Sequence, residues 1–290
     1  MYKPRKSLLR MYLLAFLTTG SITALAGNVE EQTLMNQGIE RQIAIHVPTS
    51  YSGDSPVALV LNLANRDTAV ALNLGDWVQK SEDEGFLLVG VAGAAGWNEG
   101  SGRGMPADKG IDDVAFVLSV IEKIKSEYTI DPNLVFATGF SMSGGMTFRL
   151  GMEAGEKFRA LASHSSAYWL GIKPIEAPPH MLFIIGDSDG NNPMEGGGRG
   201  TPKKPVQVTV DSWLQSIGAA IEPVQIDQAD HITISKFEPG RNGAIFEYWL
   251  VEGLDHDWLG SDRYPELQGS SSMNATDIIW DFFSTDFDEL

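Results

Sequence analysis

A serine among small residues, Ser141 in the run GFSMSGG, is the first candidate for chemistry in this chain. The short apolar segment 134–138 precedes it and a helical pattern follows, which is the outline of a tight strand-to-helix turn that exposes a serine hydroxyl for attack on a carbonyl carbon. Small residues are needed because the backbone of such a turn leaves no room for ordinary side chains. The usual spacing is G-x-S-x-G, but Ser143 stands at the place of the last glycine and is a rival nucleophile if the turn starts later.

A serine hydroxyl is a weak nucleophile at neutral pH, so it needs a neutral imidazole to take its proton and a carboxylate to orient that imidazole. Of the five histidines, only His256 follows the last strong strand pattern, 244–250, on a polar loop before a C-terminal helical pattern. The other four lie in or beside earlier strand patterns. Because this kind of turn goes with the chain order serine, acid, histidine, we predict that His256 is the general base, although any single histidine can also be an ordinary structural residue.

The candidate acids follow the apolar run 181–185, in the sequence Gly-Asp-Ser-Asp-Gly. Asp187 and Asp189 both lie where a parallel strand would end, and spacing alone does not choose between them. The alternative is a calcium loop, because the run resembles the start of an EF-hand. That alternative is weak, since the sixth position is Asn192 rather than glycine and the twelfth is Gly198 rather than glutamate.

Two backbone N–H groups are expected to stabilise the oxyanion of the reaction. One is that of Met142, the residue after the serine, and the other comes from the loop after an early strand, where Asn65 is the candidate. This loop has no glycine-rich run. Asparagine tolerates unusual backbone angles better than most residues, so Asn65 is a reasonable substitute.

The elements that must position these residues alternate along the chain. Several of the strand candidates are continuous apolar runs, as expected for strands covered on both faces. The pattern therefore predicts an α/β protein with a mostly parallel central sheet covered by helices on both faces. A glycine- and proline-rich stretch, 186–205, is predicted to be a long loop. The strand candidates are 41–47, 57–63, 86–91, 134–138, 159–163, 181–185 and 244–250, and the helix candidates are 112–127, 144–153, 206–217 and 274–285.

The first 26 residues read as a secretory signal peptide, with basic residues, an apolar segment and an Ala-Leu-Ala cleavage site. A retained membrane anchor is the alternative. We expect residues 27–290 to form a single catalytic domain that is secreted, to the periplasm or beyond, and is not membrane-bound after cleavage.

Removal of the four basic residues of the predicted signal peptide changes the formal net charge from −17 to −21, which disfavours nucleic acid as a partner. The absence of cysteine excludes disulfides, thiolate chemistry and zinc–sulfur sites, and 196–200 lacks the lysine of a phosphate-binding loop.

Several runs together resemble the secreted esterases of carbohydrate esterase family 1, which are grouped with polyhydroxybutyrate depolymerases and include feruloyl and acetylxylan esterases. The resemblance covers roughly 40–285, and its combination of motifs is specific although each motif alone is modest. The matching runs are GFLLV at 85–89, Trp97-Asn98, IDDVAFV at 111–117, YTIDPNLVFATGFSMSGGM at 128–146, IGDSDGNNPMEGG at 185–197, GLDHDWLG at 253–260 and NATDIIWDFF at 274–283.

This resemblance implies the α/β-hydrolase fold. It also implies a serine esterase that hydrolyses feruloyl or acetyl esters of plant polysaccharide, or short polyhydroxyalkanoate esters, with no metal or organic cofactor. It assigns the nucleophile to Ser141, the acid to Asp189 rather than Asp187, and the base to His256. Ser143 and the Ala64-Asn65 pair depart from the family pattern.

These departures motivate an alternative function, a catalytically weakened relative that binds a glycan or another partner. Aromatic residues near the expected site could stack on sugar or phenolic rings, although each is also an ordinary core residue candidate. They are Trp97, Tyr168, Trp169 and Trp258, of which we select Trp97 and Trp258 as substrate-binding.

Overall fold

The computed structural model describes residues 29–64, 70, 74–261 and 274–289, which fold around one sheet of ten strands. The strands are β1 (Val29–Asn36), β2 (Ile39–His46), β3 (Val57–Ala64), β4 (Leu87–Ala92), β5 (Ile130–Phe140), β6 (Ala160–His164), β7 (His180–Gly186), β8 (Pro223–Ala229), β9 (Ile232–Phe237) and β10 (Phe246–Val251). The helices are α1 (Asp76–Glu84), α2 (Gly104–Asp108), α3 (Asp113–Glu127), α4 (Met142–Ala154), α5 (Val206–Ile217) and α6 (Ala275–Phe283).

The strands are arranged across the sheet in the order β1-β2-β4-β3-β5-β6-β7-β10-β9-β8. The six central strands, from β4 to β10, run parallel to one another, whereas the two outer strands at each edge pair in antiparallel fashion. Parallel strands end at the same edge of a sheet, where ligands bind in open α/β folds. The segments that follow β5, β7 and β10 are therefore brought together at that edge, and these segments carry Ser141, Asp189 and His256.

Helices cover both faces of the sheet because the central strands are apolar on both sides. On one face, Leu59, Leu61 and Leu63 of β3 belong to a buried cluster with residues of α3, α4 and α5. On the other face, Val60 belongs to a cluster formed with aromatic residues of α1 and α6. This mostly parallel, doubly covered sheet confirms the predicted fold class.

All seven predicted strands correspond to observed ones, and so do the four predicted helices, with 206–217 matching at both ends. The pattern missed β1 and β8, polar strands at the two edges of the sheet, where side chains remain exposed. A third missed strand is β9, a six-residue strand whose side chains are buried or half-buried. It also missed α1, whose sequence DWVQKSEDE is mostly polar, and the short α2.

The predicted signal peptide, 1–26, lies outside the described residues. None of the helices in the described part of the chain combines the length and apolar character that crossing a bilayer requires.

Candidate active site

The turn between β5 and α4 holds Ser141 in a strained conformation, with φ 58° and ψ −118°. A positive φ is uncommon for a residue other than glycine and is found where surrounding structure enforces it. Here Gly139 permits the tight turn, because an added Cβ at that position would lie 2.5 Å from the backbone carbon of Ser143. The tight turn expected from the motif is therefore present, with Ser141 at its apex.

A continuous chain of hydrogen bonds joins the three residues predicted for catalysis. The Nε2 atom of His256 lies 2.9 Å from the Oγ of Ser141, and its Nδ1 lies 2.9 and 3.1 Å from the two carboxylate oxygens of Asp189. The Asp189 side chain is fully buried and that of His256 is 16% exposed. A carboxylate at Nδ1 favours the tautomer with its proton there, so the lone pair of Nε2 faces the serine hydroxyl.

The loop after β7 holds the Asp189 carboxylate with further donors. Oδ1 accepts hydrogen bonds from the backbone N–H groups of Asn191 and Asn192, both at 2.8 Å, and Oδ2 accepts one from Nδ2 of Asn192 at 3.0 Å. Burial alone would raise the pKa of Asp189, but hydrogen bonds from His256 and Asn192 outweigh it and hold that pKa below its ordinary value. Asp189 therefore remains ionised beside the imidazole.

Asn192 is a site residue that the sequence argument did not assign. Its Nδ2 also donates to the carbonyl of Ser165 at 2.9 Å, so one side chain ties the acid to the loop after β6. The only sequence signal was its position three residues after Asp189, because a polar side chain at that distance can reach back to the acid.

The other aspartate of the pair, Asp187, is exposed and has a structural contact instead. Its Oδ1 accepts a hydrogen bond from the backbone N–H of Gly253 at 2.8 Å. The structure thus separates two residues that spacing alone could not, with Asp189 next to His256 and Asp187 bracing the loop after β10.

The loops after β7 and β10 approach closely because Gly186 has no side chain. A Cβ there would lie 1.9 Å from the carbonyl oxygen of Leu254. The two loops are also joined by Asp255, whose Oδ1 accepts from the N–H of Gly190 at 2.9 Å. Backbone N–H groups of Gly190 and His256 lower the pKa of Asp255. The carboxylate beside His256 therefore serves to fix the distance between acid and base loops.

Aromatic rings pack against His256 and against its neighbour His164. Phe140 lies 4.9 Å from the His256 ring, and the ring of Trp258 stacks on that of His164 at 4.9 Å. Burial, followed by the nearby His256, lowers the pKa of His164 to about 3. Its Nε2 accepts a hydrogen bond from the N–H of Leu259 at 3.3 Å, so the neutral ring carries its proton on Nδ1.

Met142 is the first residue of α4, where backbone N–H groups have no acceptor within the helix and the positive end of the helix dipole lies. Its N–H therefore lies at the start of the helix, directly after Ser141. Asn65, the second oxyanion candidate, lies outside the described residues.

The Ser143 departure from the motif has a structural explanation. Its hydroxyl donates a hydrogen bond to the carbonyl of Ala64 at 3.0 Å, at the end of β3. A second donor, Nε1 of Trp97, reaches the same carbonyl at 3.0 Å. Ser143 is fully buried and faces β3, so its hydroxyl is not the one presented to His256. It anchors the end of β3.

The assignment of Trp97 to substrate binding is wrong, because the side chain is fully buried and its N–H is occupied by Ala64. The segment around Trp97 is held by a buried ion pair, in which a terminal nitrogen of Arg41 lies 2.8 Å from Oδ1 of Asp113. Arg41 donates to the carbonyl of Ala92, and Asp113 accepts from the N–H of Asn98.

A cavity of about 290 Å³ opens beside Ser141 and His256. Trp169 lines it, whereas Trp258 is not part of the lining and Tyr168 is a core residue whose hydroxyl donates to the carbonyl of Gly171 at 2.8 Å. Trp169 is therefore the aromatic residue placed to meet a ligand. Among the described residues, no group of three or more His, Cys, Asp or Glu side chains has the arrangement of a metal site.

Solved structures share this fold. Acetyl xylan esterase from Aspergillus awamori superposes with a TM-score of 0.60 at 15% identity, over 78% of this chain and 94% of that one. A ferulic acid esterase from Anaeromyces mucronatus gives a TM-score of 0.52 at 16% identity, over 80% of this chain and 85% of that one. The chain is thus an α/β-hydrolase in fold.

Curated relatives bear names consistent with the resemblance found in the motifs. Feruloyl esterase C of Emericella nidulans is 26% identical over 258 residues, 86% of each chain. A bifunctional acetylxylan esterase/xylanase of Neocallimastix patriciarum is 28% identical over 153 residues, which is 53% of this chain and 22% of that protein. A probable feruloyl esterase C of Aspergillus niger is 27% identical over 168 residues, 54% of this chain and 58% of that protein.

The chain matches less than two thirds of the length of the relatives from Neocallimastix patriciarum and Aspergillus niger, and no family model matches it. The predicted resemblance to the feruloyl and acetylxylan esterases of carbohydrate esterase family 1 is confirmed.

Proposed function

We propose that this protein is a carboxylic ester hydrolase in which Ser141 is the nucleophile, His256 the general base and Asp189 the residue that orients His256. The observation that carries the proposal is the hydrogen-bond chain from the Ser141 hydroxyl through the His256 ring to the buried Asp189 carboxylate. The esterase names of the sequence relatives agree with it.

In the first half of the reaction, the Oγ of Ser141 attacks the ester carbonyl carbon while Nε2 of His256 takes the hydroxyl proton. The carbonyl oxygen becomes an oxyanion that accepts a hydrogen bond from the N–H of Met142, with a second donor proposed from the Asn65 loop. Expulsion of the alcohol, which receives the proton from His256, leaves an acyl group on Ser141. Water then attacks the acyl carbon while His256 takes its proton, the bond between that carbon and the Oγ of Ser141 breaks, and His256 returns the proton to Oγ as the carboxylic acid leaves.

The proposed substrates are feruloyl or acetyl esters carried on plant polysaccharide, with short polyhydroxyalkanoate esters as a second class. The cavity of about 290 Å³ has the size for one acyl group, and the half-buried Trp169 offers a face for a phenolic ring. Such polymers lie outside cells, so the proposal includes secretion directed by residues 1–26, without a membrane or nucleic-acid partner.

The test is a Ser141→Ala variant assayed with 4-nitrophenyl acetate and methyl ferulate and labelled with a fluorophosphonate probe. We expect a loss on the order of 10⁴ in kcat, because removal of the nucleophile leaves only binding and oxyanion stabilisation. Ser143→Ala is the matched control, and it should still be labelled, with the probe mapped by mass spectrometry to the peptide containing Ser141. Activity retained by Ser141→Ala, or label on another serine, contradicts the assignment.

The alternative, a binding protein that has lost catalysis, was motivated by the altered motif positions. One of those departures now has a structural role, since the Ser143 hydroxyl donates to the carbonyl of Ala64 and anchors the end of β3. The site geometry therefore favours catalysis over this alternative.

A further inference from the structure

Three cationic side chains line the cavity beside Ser141: Arg103, Arg199 and Lys203. Acidic residues outnumber basic ones in the chain by 38 to 21, so a cluster of three cations at one cavity is unlike the composition of the whole. Arg103 directly precedes α2, while the other two belong to the loop between β7 and α5, which also carries Asp189. Two separate segments thus bring positive charge to the place where substrate would bind.

The carboxylates that face these cations only partly balance them. Arg103 donates through Nε to Glu99 at 3.1 Å, and Glu99 is 1% exposed. Arg199 is attracted by Asp255, whose carboxylate already accepts from Gly190. Within the described residues, the Arg103–Glu99 contact is the one ion pair made by the three cations.

Of the three positive charges, that of Lys203 is the least compensated by nearby carboxylates. Its Nζ donates to the carbonyl of Arg199 at 3.0 Å, and among the described residues it forms no ion pair with a carboxylate. Burial, and then repulsion from Arg103, lower the pKa of Lys203, while Asp189, which is already bound to His256, raises it. Arg103 and Lys203 are therefore close enough to repel each other, and an anion placed between them would be attracted to both.

The hydrogen-bond donors of Arg103 that have no partner among the described residues suit a carboxylate ligand in particular. The terminal nitrogens of Arg103 make no hydrogen bond to the described residues, and a guanidinium presents such nitrogens in a planar fork that matches two carboxylate oxygens. The Trp169 ring lies 5.8 Å from this guanidinium, so an aromatic acid could be held by its ring and its charge together.

We propose that the preferred substrates carry a carboxylate near the ester bond, and that Arg103 and Lys203 bind this carboxylate with Arg199 at the rim. The proposal rests on the ester hydrolysis proposed above. The charge belongs either to the acid part, as in a monoester of a dicarboxylic acid, or to the alcohol part, as in an acyl ester of a hydroxy acid. Both present the same chemistry to the two cations.

Two pairs of esters distinguish a carboxylate on the acid part of the substrate from one on the alcohol part. Monomethyl terephthalate and its neutral counterpart methyl 4-carbamoylbenzoate differ in charge on the acid part, and 4-acetoxybenzoate and 4-acetoxybenzamide differ in charge on the alcohol part. We expect kcat/KM for the anionic member of one pair to exceed that of its neutral partner by about tenfold, as charge-assisted hydrogen bonds allow. The preference should shrink as salt is added.

Lys203→Gln should bring the ratio of anionic to neutral kcat/KM close to one, mainly through KM for the anionic ester. Lys204→Gln is the matched control, because the neighbouring Lys204 is exposed and is not part of the cavity lining. It should keep the wild-type ratio. Arg103→Lys, which keeps the charge but loses the fork, should lower the ratio only in part.

The outcomes separate the two proposals. If 4-nitrophenyl acetate is cleaved and neither anionic ester is preferred, or the preference survives in Lys203→Gln, the carboxylate subsite is overturned and the esterase proposal stands. If no ester is cleaved by well-folded wild-type protein, the esterase proposal itself fails, and the subsite proposal fails with it.

Discussion

The carboxylate of Asp189 is one of the most heavily hydrogen-bonded groups in the described structure, and Asn192 supplies two of its donors. Two N–H groups on one oxygen and an amide on the other leave the carboxylate little freedom to rotate. Because the orientation of His256 depends on this carboxylate, Asn192 acts on the reaction through Asp189. We regard it as a positioning residue rather than a catalytic one.

Replacement of Asn192 by alanine should lower kcat about tenfold with little change in KM, because losing a hydrogen bond to a charged group costs roughly 1.5 kcal/mol. Steady-state kinetics on a neutral ester measures this split. Asn191→Ala should have a smaller effect, since Asn191 donates to Asp189 through its backbone. Equal kcat for wild type and Asn192→Ala would show that the side chain does not position the acid.

At the scale of elements, Gly186 decides how closely the acid loop and the base loop can approach. The loops follow β7 and β10, which are neighbours in the sheet. The absence of a side chain lets the Leu254 carbonyl lie against the end of β7. The spacing of Asp189 and His256 thus depends on a residue that takes no part in the chemistry.

Gly186→Ala should destabilise the protein by about 3 kcal/mol and lower activity strongly, because the new methyl group would lie 1.9 Å from the Leu254 oxygen and force the loop outward. Gly190→Ala is the matched control in the same loop, since its Cβ would meet its nearest neighbours at 3.5 Å, an ordinary contact distance. Urea unfolding and ester hydrolysis measure both variants. Similar stability of the two variants would refute the packing argument.

The elements that could be predicted from the sequence are those whose burial produces a recognisable pattern of apolar residues. The run VALVLNL of β3 is apolar because both faces are covered, whereas β8 is polar because it lies at the edge of the sheet. The candidate nucleophile and base could be predicted because chain order and motif restrict them, whereas the choice of Asp189 over Asp187 depended on the family resemblance. Asn192 and the cavity cations could not, since they come from loops in which no periodicity marks the side chains that converge. For the same reason Trp169 could be named as a candidate but not singled out from the other three aromatic residues.

For the whole molecule, titration of the half-buried His180 should contribute to how stability varies with pH. His180 stacks on Phe287 at 3.7 Å, and its Nδ1 accepts a hydrogen bond from the N–H of Ile245 at 3.1 Å. Burial, and then Arg159, lower the pKa of His180 to about 4, although Asp288 opposes them. A neutral imidazole is thus built into the fold near the C-terminal segment.

Because the unfolded chain takes up this proton below about pH 6.5, the contribution of His180 to stability is complete above that pH and is lost as pH falls towards 4. Between about pH 7 and 4, wild type should lose about 2 kcal/mol more stability than His180→Gln, a value reduced for the partial exposure of the ring. Urea unfolding at the two pH values measures the difference.

Phe287→Leu keeps the histidine but removes the stacked ring, so its loss of stability on acidification should lie between those of wild type and His180→Gln. Parallel stability curves for wild type and His180→Gln would contradict the role assigned to His180.

The loop between β7 and α5 carries the acid, the asparagine that supports it and two of the cavity cations. This has a consequence for how such a protein can evolve. An insertion or deletion that reshaped the cavity would also displace Asp189, so ligand preference and turnover cannot drift independently. Divergence among descendants of this chain is therefore expected to proceed by residue replacement at Arg199 and Lys203 within a loop of constant length, and heritable changes in length should be found in other loops.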